Sequence, residues 1–260
     1  ERTYSDKSNQ ITLPALIIVA MPKAEIPNVG GIYTDPFHSP TTAGANIFDV
    51  KEPWFGGLRI LGRSSTTSKD FTCIGNDDGI HWWALKATFT DDIPKVSMDF
   101  TPKAPGVGLL QCGFETSGKL NFFQDDGSTI GNTWSRLIPP AKIPLKKQVK
   151  HAAFNDVNGL YVDPEMWDSS NGSWAGIRVV SDRLGKFISD EINILGTDDG
   201  VEWWALTGTF LNRLKGEIQI GEDTAVISSG TIEIGNGCQW IKMNSPQMNF
   251  HELSKQSETE

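Results

Sequence analysis

Apolar and polar positions alternate with a period of two through much of the chain, the pattern of half-buried β-strands. Val96-Ser-Met-Asp-Phe100 alternates in this way, as do Lys119-Leu-Asn-Phe122, Glu217-Ile-Gln-Ile220 and Thr231-Ile-Glu-Ile234. Asp70 to Gly75 and Ile80 to Phe89 flank Asn76-Asp-Asp-Gly79, whose Asp-Gly pair supplies the positive φ of a tight hairpin. Ile192 to Leu195 and Val201 to Phe210 flank Thr197-Asp-Asp-Gly200 in the same manner. Gly and Pro punctuate the chain at the intervals of short antiparallel strands, and no segment carries an amphipathic helix of three turns. The pattern predicts an all-β protein.

The two hairpins are copies of one another. Gly75-Asn-Asp-Asp-Gly-Ile-His-Trp-Trp-Ala-Leu-Lys-Ala-Thr-Phe89 returns as Gly196-Thr-Asp-Asp-Gly-Val-Glu-Trp-Trp-Ala-Leu-Thr-Gly-Thr-Phe210, with ten of fifteen positions identical. Upstream, Gly31-Ile-Tyr-Thr-Asp35-Pro36 returns as Gly159-Leu-Tyr-Val-Asp163-Pro164, and Gly57-Leu-Arg59 as Gly176-Ile-Arg178. Downstream the match thins to Gly118-Lys-Leu-Asn-Phe122 against Gly230-Thr-Ile-Glu-Ile234. A repeat in constant order is a tandem duplication. The expectation is two homologous antiparallel β-sandwich or barrel-like units, over residues 28–138 and 156–243, related by a pseudo-twofold axis. An extension with an apolar segment (1–27), a Pro- and Lys-rich linker (139–155) and an acidic tail (244–260) complete the chain.

Charge narrows the function classes. Lys and Arg total 23 against 32 Asp and Glu, a net charge of -9, so tight binding to nucleic acid is not expected. No apolar run is long enough to span a bilayer, and membrane insertion is not expected either. The three cysteines, Cys73, Cys112 and Cys238, lie far apart with no CxxC pair, which points to a reducing compartment.

Candidate chemistry is sparse. None of His38, His81, His151 and His251 stands at metal-ligand spacing from another. Tyr33, Asp35 and His38 can be drawn as an acid–base set, or as a turn whose Asp and Pro fix the chain direction. Asp77-Asp78 and Asp198-Asp199 suggest calcium, yet the oxygen ligands of a calcium loop do not follow, and the turn reading fits Asp77, Asp78, Gly79, Asp198, Asp199 and Gly200. No nucleophile elbow, zinc-protease or phosphate-loop motif is present. No catalytic residue, metal or cofactor is expected.

The aromatic residues raise a different question. Of nine tryptophans, four form the pairs Trp82-Trp83 and Trp203-Trp204. Neighbours in a strand point to opposite faces, so one ring of each pair fills a core while the other faces the second unit, another chain or a ligand. The segment Ile11–Val19 is too apolar to be left in water; it adds an edge strand to its own sheet or reaches a neighbour by strand addition. Trp54-Phe55, beside Pro53 and two glycines, reads as an exposed loop knob. The candidates for a self-assembly surface are therefore Leu13, Leu16, Ile17, Ile18, Trp54, Phe55, Trp82, Trp83, Trp203 and Trp204, with open sheet edges providing head-to-tail contacts. The alternative is a lectin-like or other ligand-binding β module that uses surface tryptophans.

These motifs carry a resemblance. Gly-x-Tyr-x-Asp-Pro, then Gly-x-Asp-Asp-Gly-x-x-Trp-Trp-Ala-Leu-x-x-Thr-Phe, then Asp99-Phe-Thr-Pro-Lys103, then Asp-Gly-Ser-Thr-Ile-Gly-Asn-Thr-Trp134, are similar to the duplicated modules of the pyrenoid shell (PyShell) proteins of diatoms and related algae. The second unit departs after Phe210, where Ile218-Gln-Ile-Gly-Glu replaces the Asp-Phe-Thr-Pro-Lys element and Gly235-Asn-Gly-Cys-Gln-Trp240 replaces Gly-Asn-Thr-Trp. The resemblance implies a structural, non-enzymatic protein of the chloroplast stroma. It implies self-assembly into a thin lattice at the pyrenoid periphery, around Rubisco, in support of carbon concentration and CO2 fixation. The implied partners are copies of the chain itself and Rubisco or other pyrenoid proteins.

Overall fold

The computed structural model describes residues 25–38, 56–79, 81–91, 94–123, 128–139, 157–167, 173–228 and 230–243. Leu13, Leu16, Ile17, Ile18, Trp54 and Phe55 lie outside the described residues, as do most of the linker and the acidic tail. The described residues form sixteen strands and no helix. Strands β1 (Gly31–Thr34), β2 (Leu58–Arg63), β3 (Asp70–Asn76), β4 (Trp82–Phe89), β5 (Lys95–Asp99), β6 (Leu109–Glu115), β7 (Lys119–Phe123) and β8 (Thr129–Arg136) come first. Then follow β9 (Gly159–Val162), β10 (Ile177–Leu184), β11 (Phe187–Gly196), β12 (Trp204–Asn212), β13 (Glu217–Ile220), β14 (Asp223–Ser228), β15 (Thr231–Ile234) and β16 (Gln239–Lys242).

Each set of eight returns on itself. Every strand from β1 to β8 pairs antiparallel with the next, and β8 pairs back with β1 through Tyr33↔Arg136 and Thr34↔Ser135. Strands β9 to β16 do the same, closed by Ile241↔Val162 and Lys242↔Tyr161. These are two up-and-down barrels of eight strands, a size whose interior side chains can fill. Closure corrects one expectation: neither ring keeps an open sheet edge among the described residues, because the groups an edge would expose are paired around the ring.

Alternation along the strands builds three apolar layers. Tyr33, Leu61, Cys73, Trp83, Leu85, Phe89, Met98, Phe122 and Trp134 fill the first ring. Tyr161, Val180, Ile192, Ile194, Phe210, Ile218, Ile232 and Trp240 fill the second. Between the rings, Ile32, Leu58, Ile60, Ile74 and Trp82 pack against Leu160, Val162, Trp174, Ile177, Leu195 and Trp203. Strands β1 to β3 of the first ring and their counterparts in the second thus bury side chains on both faces where the rings meet. The burial of large side chains on both faces is worth roughly 1.5–3 kcal/mol for each.

Backbone bonds tie the rings at three places among the described residues, one of them from the Lys186 N–H to the Pro102 carbonyl at 3.3 Å. Arg63 pairs with Trp204 in parallel, and its N–H donates to the Trp203 carbonyl at 3.1 Å. Leu184 pairs with Ala84, and the Gly185 N–H donates to the Ala84 carbonyl at 3.0 Å. The Lys86 ammonium adds a bond to the Asn193 side chain at 2.9 Å.

Candidate functional site

The duplicated motifs converge on one place in each ring. In the first, the Asp of Gly-x-Tyr-x-Asp, the Arg of Gly-Leu-Arg, the first Asp of the Asp-Asp-Gly turn and the second Trp of the pair meet at the barrel mouth. The Arg59 side chain, buried on β2, donates from Nη2 to Asp35 Oδ2 at 2.6 Å and to Asp77 Oδ1 at 2.7 Å. Its Nη1 donates to the carbonyls of Leu58 and Asn76, both at 2.8 Å. The guanidinium carbon lies 4.9 Å from the centre of Trp83 and 5.3 Å from that of Trp134. A planar fork with several donors meets these acceptors in a way an ammonium cannot, and the two rings line it with π faces.

The second ring repeats the set. Arg178 Nη2 lies 3.0 Å from Asp163 Oδ2 and 2.6 Å from Asp198 Oδ1. Nη1 donates to the carbonyls of Ile177 at 3.1 Å and Thr197 at 2.7 Å. Trp204 and Trp240 lie 4.9 and 5.7 Å from its guanidinium carbon. In each ring a tyrosine hydroxyl donates to a carbonyl four residues back, Tyr33 to Val29 at 2.7 Å and Tyr161 to Val157 at 2.8 Å.

The mouths differ in what covers them. Residues 100–108 form a compact loop over the first, closed by a Phe100 N–H bond to the Gly108 carbonyl at 2.9 Å. From it the Lys103 ammonium reaches Asp77 Oδ2 at 2.6 Å and sits 4.4 Å over Trp83. Phe100 packs near Trp83 and Trp134, with centroids 6.5 and 6.3 Å away. Burial raises the Asp77 carboxyl, but Arg59, Lys103 and His38 outweigh it and hold the group below the usual carboxylate range. Burial in turn lowers Lys103, partly offset by its bond to Asp77. His38 Nδ1 lies 2.9 Å from Asp35 Oδ2, while its own N–H and that of Phe37 turn back onto Asp35 at 3.1 and 3.0 Å. In the second ring Gly221 and Glu222 alone join β13 to β14, and the Cys238 thiol stands 3.6 Å from Asp163 Oδ2.

The predicted site residues fall as follows. Asp77 and Asp198 hold arginines. Asp78 accepts the His81 N–H at 2.8 Å, and Asp199 accepts those of Val201 and Glu202, each at 2.8 Å. Gly79 and Gly200 take positive φ, 81° and 79°, as the turn requires. Trp82 and Trp203 are buried between the rings and Trp83 is buried in the first barrel, while Trp204 packs half-buried against the second core. Trp82, Trp83 and Trp203 are therefore spent within the chain and offer no ring face to a neighbour or a sugar. Among the described residues, no three His, Cys, Asp or Glu side chains gather as a metal would require.

Sequence reasoning passed over Arg59, Arg178 and Lys103. A charged residue repeated inside the otherwise apolar runs Leu58–Leu61 and Ile177–Val180 was the available signal, since a buried guanidinium must be paired. The fold and site define an all-β protein of two fused eight-stranded barrels, each plugged by the same Arg–Asp–Asp–Trp–Trp cluster. No family model, no curated protein and no solved structure matches the chain.

Proposed function

We propose that the protein is a structural, non-enzymatic subunit of the pyrenoid shell kind. In this reading it self-assembles into a sheet or tube-like lattice that encases the Rubisco-containing pyrenoid in the chloroplast stroma and supports CO2 concentration and fixation. Its two barrels are copies of one module set about an approximate twofold axis.

The observation that carries the reading is that the residues of the resembling motifs do architectural work. Asp35, Arg59, Asp77 and Trp83, with their counterparts Asp163, Arg178, Asp198 and Trp204, plug barrel ends through ion pairs to a buried guanidinium. The twofold reading is supported by the exchange of roles at the joint: β12 meets β2 while β10, the counterpart of β2, meets β4, the counterpart of β12. With sheet edges closed, contacts between copies fall to surfaces and loops. The β10–β11 hairpin supports such contacts, since Phe187 and Ile188 are 58% and 66% exposed beside Leu184 at its tip.

Electron microscopy of the pure protein at micromolar concentration tests the proposal. Extended sheets or tubes are the expected result. A monodisperse monomer across salt and pH would overturn it, and a Phe187→Asp, Ile188→Asp variant that still unfolds cooperatively should lose the array.

A further inference from the structure

We propose that the mouth of the second barrel is a docking site for a lysine-bearing, aromatic polypeptide segment supplied in trans, of the same chemistry as the loop that the first barrel carries for itself. This goes beyond the shell reading and does not depend on it.

The two mouths are built from matching residues but are balanced differently. In the first, Asp35 and Asp77 face Arg59 and Lys103, so two carboxylates meet a guanidinium and an ammonium. In the second, Asp163 and Asp198 face Arg178 alone among the described residues. Among the described residues that cluster has one positive charge fewer, and Asp198 is the carboxylate with the fewest partners. Its side chain is 55% exposed, against 28% for Asp77.

The surface left uncovered by the described residues is apolar as well as acidic. Leu85 is fully buried in the first barrel, yet its counterpart Leu206 is 47% exposed. Trp83 is buried beneath Phe100 and Lys103, whereas Trp204 is only half-buried. The cause is local: the first barrel spends residues 100–108 between β5 and β6, and the second has only Gly221 and Glu222 between β13 and β14. Leu206 and Ala205 also border an open groove of about 510 Å³ against the flank of the first barrel, where Asp70, Asp99, Lys86 and Leu109 contribute to the walls. Lys86 is bound to Asn193 and lies 3.6 Å from Glu191, so the carboxylates of Asp70 and Asp99 leave that groove suited to a cationic segment.

The occupant's chemistry is read from the first mouth. There an ammonium sits between a carboxylate and a tryptophan face, and an aromatic ring three residues earlier covers the tryptophans. The same carboxylate and tryptophan faces recur in the second mouth, so a segment with phenylalanine followed three positions later by lysine matches them.

Calorimetric titration of the full-length protein with the ten-residue peptide Asp-Phe-Thr-Pro-Lys-Ala-Pro-Gly-Val-Gly tests this. Saturable binding at one site per chain is expected. Replacing the peptide lysine by alanine, or Asp198→Asn in the protein, should weaken it by about tenfold, the scale of one charge-assisted contact. Leu206→Arg, at an already exposed position, should abolish it while the protein still unfolds cooperatively. Absence of saturable heat at millimolar peptide, or equal affinity in the Asp198→Asn protein and with the lysine-free peptide, would overturn the proposal. The titration reads one mouth per chain whether or not the protein forms arrays, so failure here leaves the assembly reading to its own test.

Discussion

Arg59 stands 4.9 Å from the centre of the Trp83 ring, and its counterpart Arg178 stands 4.9 Å from Trp204. A buried cation between aromatic faces, with carboxylates at hydrogen-bond distance, is costly to break from one side because its partners remain buried. Arg59→Met should cost about 3–5 kcal/mol in chemical denaturation. Arg59→Lys should recover only part of that, since an ammonium cannot serve Asp35, Asp77 and two carbonyls with one planar fork. Asp198→Asn, at an exposed carboxylate, should cost no more than about 1 kcal/mol.

Gly185 joins the barrels at a position that no side chain fits. Its φ is 60°, and a Cβ there would collide with the backbone of Pro102 in the loop over the first mouth. Gly185→Ala should destabilise the protein by about 1–3 kcal/mol. It should also loosen that loop, read as faster amide exchange over residues 100–108 with the interior of the second barrel unchanged.

Thiol labelling separates the cysteines. Cys73 and Cys112 are buried in the first barrel, and burial pushes the Cys73 thiol up to about 12 and raises Cys112 as well. Cys238 is partly exposed, raised first by burial and then by the charge of Asp163. A disulfide reagent at neutral pH should therefore label one thiol slowly in the native protein and three after denaturation. Rapid native labelling of Cys73 or Cys112 would contradict the packing of the first barrel.

Alkaline stability should report Tyr33. Burial raises its hydroxyl to about 12, with Arg136 acting in the opposite direction. The folded state holds this proton more tightly than the unfolded chain, so the contribution is complete below about pH 10 and is lost as pH rises toward 12. Tyr33→Phe should flatten that limb of the stability curve, measured by denaturation at stepped pH.

Acid stability should report Asp77. Its carboxyl lies below the usual range in the folded state, so its contribution is present above about pH 4 and falls away as the solution becomes more acidic. Asp77→Asn should remove that part of the acid dependence, and it should free Lys103 and with it the loop over the mouth.

Much of the architecture was legible in the sequence because it rests on short-range rules. The Asp-Gly turns at Asp78-Gly79 and Asp199-Gly200 do join hairpins, although not tight ones, since the strands resume only at Trp82 and Trp204, and β13 and β15 begin and end where period-two alternation places them. The convergence of motifs was not legible. Asp35, Arg59 and Asp77 come from three separate segments, and only pairing of β1 with β2 and of β2 with β3 brings them together. Gly75 and Gly196 show the same division: each looks like turn punctuation, yet each is required because the ring of Trp83 or Trp204 lies where its Cβ would be.

What the sequence determined by itself is the duplicated all-β plan, because alternation and turn chemistry act between near neighbours and are written directly into residue order. Tertiary structure alone decided that each set of eight strands closes into a ring, that Trp82 and Trp203 are consumed at the joint, and that, among the described residues, one mouth is covered while the other is left open. Those outcomes depend on strands far apart in the chain meeting in a particular register, and on a loop of one barrel being braced by a hairpin of the other. Such contacts are set by packing across the whole molecule, which no window of neighbouring residues records.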